Sequence, residues 1–362
     1  MEKSLLRSKP AFTVCALTIL TLFSAGQASR TAGSAGAYLR PAAGASAQAM
    51  GGAFLANPEY LVAWYNPSVL ASLRESRLAL GGGYRSLGRT EGIGSYEFRV
   101  PPRLGVGLSF LYRGVPSIKG MFDGFYEGGN FEEIPLERLS FSTFTIKLGA
   151  GYLLNRSLFL GASIGIFNQS LPSLPLGDGT VKNSSVTAIG GFDLAATYRV
   201  NRNWIVSAAF KNLGASFDWY FETWQMTADR TAQIYIMPSL VFGSSVNTTL
   251  RDKPLRWNMD LVTYLFDGNW SKLPRNEAVV NTGFEWQYWE GFFIKAGIAD
   301  LEFSADLFNN SSEFFRHFAP RFCAGFSWDM SQFREGMRLN YALATDRVWA
   351  GVDQQIDITF TF

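Results

Sequence analysis

One histidine and two cysteines among 362 residues leave little material for metal or nucleophile chemistry. Zinc sites draw on several imidazoles or thiolates, and Ser-His or Cys-His pairs need a histidine beside the group it activates. The sole histidine, His317, sits in Phe314-Phe315-Arg316-His317-Phe318 without a supporting serine, so neither an enzyme nor a metal or other cofactor is expected. Charge is sparse and balanced, with 32 basic against 30 acidic side chains. Nucleic acid needs a concentrated basic surface, which this balance does not supply. Long apolar runs are missing beyond the leading segment, which excludes membrane-crossing helices of ~18 or more apolar residues. With 36 glycines and 14 prolines, a chain of long helices or a coiled coil is excluded as well.

The leading segment has its own logic. Lys3, Arg7 and Lys9 precede an apolar run from Ala11 to Phe23, which ends in Ser24-Ala25-Gly26-Gln27-Ala28 with small residues where a signal peptidase reads. At ~1.5 Å rise per residue that run spans about 20 Å, short of a ~30 Å bilayer core. Residues 1–28 therefore read as a cleaved secretory signal. Cys15 lies inside it and lacks the small preceding residue of a lipid-attachment site. Cleavage removes the basic excess and leaves Cys323 alone, so no intramolecular disulfide supports the exported chain.

What is abundant is period-two alternation in stretches of about ten residues. In the last of them Ile356, Ile358, Phe360 and Phe362 point one way, and Gln355, Asp357, Thr359 and Thr361 the other. Such stretches fall near 77–85, 92–100, 104–112, 139–153, 158–171, 185–200, 204–212, 233–249, 255–266, 277–288, 292–300, 319–328, 337–344 and 353–362. Short connections such as Pro101-Pro102-Arg103 and Asn201-Arg202-Asn203 alternate with longer ones at 113–138, 172–184, 213–232 and 301–318. Tyr84, Tyr112, Tyr152, Tyr198, Trp204, Trp286, Tyr288 and Trp328 fall at or near strand ends, as interfacial girdles do. The reading is an all-β, 14-stranded antiparallel transmembrane β-barrel over residues 76–362, with residues 29–75 as an N-terminal hatch inside the lumen. A barrel of that size encloses more space than its own side chains fill. An even strand count puts both termini on one side, expected to be the periplasmic side of a bacterial outer membrane.

The hatch segment is rich in Ala and Gly and carries Ala49-Met50-Gly51-Gly52-Ala53-Phe54, then Trp64-Tyr65-Asn66-Pro67-Ser68. Asn66 before Pro67 is a helix start: asparagine caps free amide donors and proline's fixed φ suits the first helical position. This run resembles the amino-terminal hatch of FadL-like outer-membrane barrels, and more closely that of PorV/PorQ-type proteins; Ser68 stands where many relatives have alanine. The terminal Phe362 similarly resembles the signal by which barrel-assembly machinery recognises its clients.

The resemblance implies two functions. In the first, the barrel is a channel or binding protein for hydrophobic or amphipathic small molecules such as long-chain fatty acids, with outer-membrane lipid around it. A lumen cation, Lys147, Lys211, Lys295 or Arg256, then holds the carboxylate, while Phe122, Phe125, Trp219 and Phe221 in the long connections receive the apolar part. Pro238, which has no amide to donate, marks a break in the eighth strand. In the second, a PorV-like barrel binds secreted cargo proteins in a type IX-like secretion or attachment pathway through connections 113–138 or 213–232.

Overall fold

Fourteen alternating segments pair in sequence and close on one another. A computed structural model of the protein describes residues 36–125, 131–175, 181–221, 230–265, 277–303, 320–346 and 351–362; the signal segment 1–28 and His317 lie outside the described residues. The wall consists of β1 (Arg77–Arg85), β2 (Arg89–Val100), β3 (Leu104–Phe125), β4 (Phe131–Leu153), β5 (Leu158–Pro175), β6 (Val181–Arg199) and β7 (Trp204–Leu213). It continues through β10 (Ser239–Leu250), β11 (Lys253–Tyr264), β12 (Glu277–Trp289), β13 (Phe292–Phe303), β14 (Arg321–Asp329), β15 (Met337–Thr345) and β16 (Val352–Thr361). β1 pairs with both β2 and β16, so the sheet has no free edge strand. Between β7 and β10, β8 (Ser216–Phe221) and β9 (Arg230–Tyr235) form a separate hairpin.

The pleat puts oil outside and charge inside. Leu80, Leu194 and Ile356 are 54%, 54% and 51% exposed, whereas Asp193 and Asp357, next to the last two in the chain, are 0% and 1% exposed. A water-soluble sandwich would show the reverse. Tyr84, Tyr152, Tyr198 and Tyr288 are exposed near strand ends, completing the outer surface of a lipid-facing cylinder.

Two expectations need correction. The connections 113–138 and 172–184 are largely strand, since β3 and β4 run on together to Phe125 and Phe131 and β5 and β6 to Pro175 and Val181. Proline and glycine there suggest loop, but register shifts after Val115 and Leu171 absorb the irregular residues without ending the pairing. The stretch 233–249 is likewise not one strand. Residues 233–235 belong to β9, 236–238 are unpaired in the sheets, and the wall resumes at Ser239. Pro238 stands at that break, where a missing amide costs no ladder bond. Phe122 and Phe125 fall on β3, and Trp219 and Phe221 on β8; these side chains lie outside the described residues.

The lumen is filled by the chain preceding β1. Residues 42–70 are nearly all buried, with short helices α1 (Ala45–Ala49) and α2 (Val62–Tyr65) and a 3-10 helix over Pro67–Ser72. Asn66 caps that last helix through Ser68 N–H at 3.1 Å, with Pro67 in the first turn. The segment is wedged between two glycine-lined walls. A Cβ at Gly105 would lie 1.9 Å from Leu70 O and one at Gly161 2.2 Å from Ser68 N; opposite, one at Gly283 would lie 2.3 Å from Met50 O and one at Gly297 2.4 Å from Gly51 N. Backbone touches backbone on both sides, and no other residue type permits that approach.

Candidate functional site

Inward carboxylates hold the hatch by its amides. Asp260 on β11 accepts from Phe54 N–H and Leu55 N–H at 2.8 and 2.9 Å, Glu97 on β2 from Val62 N–H at 2.7 Å, and Asp357 on β16 from Ala45 N–H at 2.6 Å. These donors sit in turns or at the starts of short helices, where no backbone acceptor is available. Ser68 is more than a neutral exchange for alanine: its hydroxyl donates to Asn66 Oδ1 at 2.6 Å and shares a 2.8 Å hydrogen bond with Thr197 Oγ1 of β6.

The hatch divides the lumen into two sides. On the side of the short turns, a polar cavity of about 550 Å3 opens beside Glu59, Arg77, Arg256, Glu285 and Arg338. Arg256 and Lys295 are committed there. Lys295 Nζ lies 3.0 Å from Glu59 Oε2 and 2.8 Å from Glu285 Oε2; Arg256 pairs with the same two glutamates. Burial alone would raise the Glu59 carboxyl, but the Lys295, Arg256 and Arg338 charges hold it well below the usual carboxylate range. The cluster thus keeps its charge into acid and fastens the Asn57-Pro58-Glu59 turn of the hatch to β11, β13 and β15.

On the other side a cavity of about 110 Å3 lies between the hatch and β7, β10, β11, β12, β13 and β14. Leu39, Leu55, Trp64, Met237, Val241 and Val262 give it an apolar lining, with Lys147, Lys211, Asn212, Asp260 and Asn281 among the polar groups. Two of the four expected cations, Lys147 and Lys211, are therefore here, and Lys295 and Arg256 are separated from them by the hatch. Lys147 is neutralised by Asp193 at 2.6 Å and stands 5.1 Å from the centre of the Trp64 ring. Lys211 has no carboxylate partner among the described residues. Its ammonium donates to Trp64 O at 3.3 Å and lies 5.5 Å from the Tyr65 ring centre. The candidate cations thus fall in two separate places, two on each side of the hatch.

The strap over Gly36–Ala42 roofs this space. Arg85 Nη2 donates to Ala42 O at 2.7 Å, and Arg113 Nη2 to Pro41 O and Ala42 O at 3.0 Å each. Glu91 and Asp353 tie these arginines and Arg321 together at 2.7–3.0 Å. The described chain therefore begins on the side opposite the short turns, whereas Phe362 closes against Ser76 at the turn side. Beside the roof, Ala215, Phe217 and Ile236 at the base of the β8–β9 hairpin pack on Phe167, Val186 and Ala188 of the inner wall.

That wall carries a seam. β6 pairs with β5 along almost its whole length but with β7 only from Phe192 to Arg199, and there Asp193 faces a bulge holding Lys211 and Asn212. Gly190 and Gly214 flank the seam in left-handed or extended-positive φ, at 104° and 73°. Outside it, Ile189 and Phe192 are exposed among the lipid-facing side chains.

Trp64, Glu59 and Arg113 were not legible as site residues. Trp64 belonged to the quoted motif, and its aromatic neighbour Tyr65 was the available hint. Glu59 carries no signal in the sequence pattern, and Arg113 lies in the stretch 113–138 read as a connection.

No protein-family model and no curated protein sequence matches the chain. Among solved structures it is similar to the toluene transporter TbuX of Ralstonia pickettii, with TM-score 0.57, 14% identity, and coverage of 89% of this chain and 99% of that one. The toluene transporter TodX of P. putida aligns with TM-score 0.57 at 12% identity over 89% and 99%. A FadL homologue of Pseudomonas aeruginosa aligns with TM-score 0.52 at 12% identity over 89% and 98%. At these identities the likeness establishes the architecture alone: the chain has the barrel fold of these structures.

Proposed function

We propose that the protein is an outer-membrane channel or binding barrel for small hydrophobic or amphipathic molecules. The carrying observation is the cavity between hatch and strap, whose lining mixes apolar side chains such as Leu39, Leu55, Trp64 and Val241 with charged ones including Arg40, Lys211 and Arg321, inside a barrel whose outer face suits lipid. The aligned structures described as toluene transporters and as a FadL homologue support the same class. A cavity near 110 Å3 is below the ~150 Å3 that takes a benzene molecule. This is accordingly the closed state, and entry requires the strap or the hairpin base to shift; a long acyl chain demands a larger shift than a single ring. In this reading the signal segment 1–28 is removed on export, the carboxyl terminus faces the periplasm, and the seam between β6 and β7 is the route by which an apolar molecule leaves for the bilayer. Phe167 and Ala215, which a Cβ on Gly191 would meet at 2.5 and 3.0 Å, close that route from inside. The cargo-binding alternative depends on connection tips that lie outside the described residues.

Two assays on the purified barrel test the proposal together: radiolabelled toluene binding in detergent and sucrose permeation in proteoliposomes. Saturable toluene binding with sucrose excluded is the expected result. Free sucrose permeation without toluene binding would make the protein a general pore and overturn it.

A further inference from the structure

The β8–β9 hairpin is the upper part of a longer hairpin that bends. Lys211 faces Ser239 in the β7–β10 ladder and Ser216 faces Tyr235 in the β8–β9 ladder, five residues on along one arm and four back along the other. The two ladders are thus in the same register but for one residue, the offset a β-bulge absorbs. At the bend Gly214 has φ 73° and residues 236–238 stand outside both ladders, with Pro238 offering no amide to either. The chain steps there onto the inner face of β6. A Cβ on Gly191 would stand 3.0 Å from the Ala215 Cβ, and Phe217 is buried among Phe167, Val186 and Ala188. Ile236 N–H donates to Ala215 O at 2.8 Å and closes the base of the hairpin.

The bend leaves an edge empty. β6 pairs with β7 only as far as Phe192 opposite Leu213, and from Val186 to Gly191 the same edge has no ladder partner among the described residues. Ile189, 73% exposed, and Phe192 mark this edge as lipid-facing, where unpaired backbone is costly. β8, paired on one side by β9, has a second edge to offer.

We propose that the hairpin moves as a unit about Gly214 and 236–238 between this bent form and a straight one, in which β8 continues β7 along the vacant edge of β6. The proposal rests on the channel reading above and adds a coupling between its two openings. In the bent form the hairpin base covers the lumen, and only Phe167 and Ala215 close the seam. In the straight form ladder bonds seal the seam while Phe217 and Ile236 withdraw from the mouth. A ligand therefore never meets both openings at once.

Cysteine pairs in a Cys323→Ala barrel test this. If the β6–β7 register continues past Phe192 and Leu213, Ile189 comes opposite Ser216, within disulfide reach only in the straight form. Ile189→Cys with Ser216→Cys should therefore close under mild oxidant, as the permanently paired Leu194→Cys with Phe210→Cys does. Gly214→Val should raise the yield, because a β-branched residue disfavours φ 73° while its Cβ meets nothing nearer than Gly190 O at 3.9 Å. Radiolabelled toluene should associate at least about tenfold faster with the oxidised pair than with the same protein reduced, since the straight form is otherwise a minor population. Closure of the control pair without closure of Ile189→Cys/Ser216→Cys would overturn the proposal and leave the channel reading standing. A disulfide that left the association rate unchanged would overturn it too, by uncoupling hinge from mouth. Absence of toluene binding in every form would remove the channel reading itself.

Discussion

Replacing Gly161 with valine is expected to unseat the hatch and turn a closed barrel into a conducting one. A Cβ on Gly161 would stand 2.2 Å from Ser68 N and 2.4 Å from Pro67 C, both backbone atoms of the 3-10 helix. No rotamer relieves such a clash; either β5 bends or the hatch leaves. The wall is fixed by ladders to β4 and β6, whereas the hatch is held by discrete hydrogen bonds and ion pairs, so the hatch yields. Overpacking costs of a few kcal/mol arise even where side chains can adjust, and here they cannot. Single-channel conductance in planar bilayers should rise from baseline to the level of an unplugged pore. Gly94→Val supplies the control: a Cβ there meets only Leu80 and Phe110 side chains at 3.7 and 4.0 Å. Heat-modifiable migration on gels shows that both variants still form barrels. A Gly161→Val barrel as closed as the wild type would mean that the hatch does not rest on β5.

Asn66→Ala should loosen the same segment by another route. The Asn66 amide group donates to Leu55 O and to Thr197 Oγ1, each at 2.9 Å, and its oxygen accepts from Ser68 N–H and the Ser68 hydroxyl. The side chain is fully buried, so alanine leaves these partners without water to replace it. Loss of the cap costs about 1 kcal/mol and a stranded buried acceptor about 1–3 kcal/mol more. The sum, about 3 kcal/mol, corresponds to roughly a hundredfold rise in local opening. Hydrogen–deuterium exchange of amides 62–73 should accelerate by that order, with the strand amides of β11–β13 unchanged. Ser68→Ala, which removes the hydroxyl's bonds to Asn66 Oδ1 and Thr197 but keeps the backbone cap and the Asn66 amide's own donations, should give a smaller increase. Identical exchange in Asn66→Ala and wild type would show that the motif does not anchor the hatch.

The barrel was readable because alternation is local. Ile356 against Asp357, or Leu194 against Asp193, declares inside and outside within two residues, and fourteen such stretches give the strand number. Strand ends were less legible where the pairing outlasts its composition: β3 and β4 continue beyond Pro116, although that residue reads as a terminator by itself. The division of the lumen was not legible at all. Lys295 is neutralised by its cross-strand neighbour Glu285 and also by Glu59, hundreds of residues earlier, and only the first lies within one hairpin; whether Lys147 and Lys295 share a depth depends on stagger and tilt that no single strand encodes. Alternation identified all four cations as inward, but only the placement of the hatch separates Lys147 and Lys211 from Lys295 and Arg256. The seam at β6 and β7 escaped notice for a similar reason, since a one-residue bulge at Lys211 and Asn212 barely perturbs the sequence pattern.

The account turns on whether the space above the hatch accepts an apolar molecule. The most direct measurement is anomalous scattering from crystals of the barrel grown with 4-bromotoluene. A bromine peak among Leu55, Trp64 and Val241, with the strap displaced, is the predicted result. Bromine found only in the detergent around the outer belt, with the cavity unchanged, would contradict it.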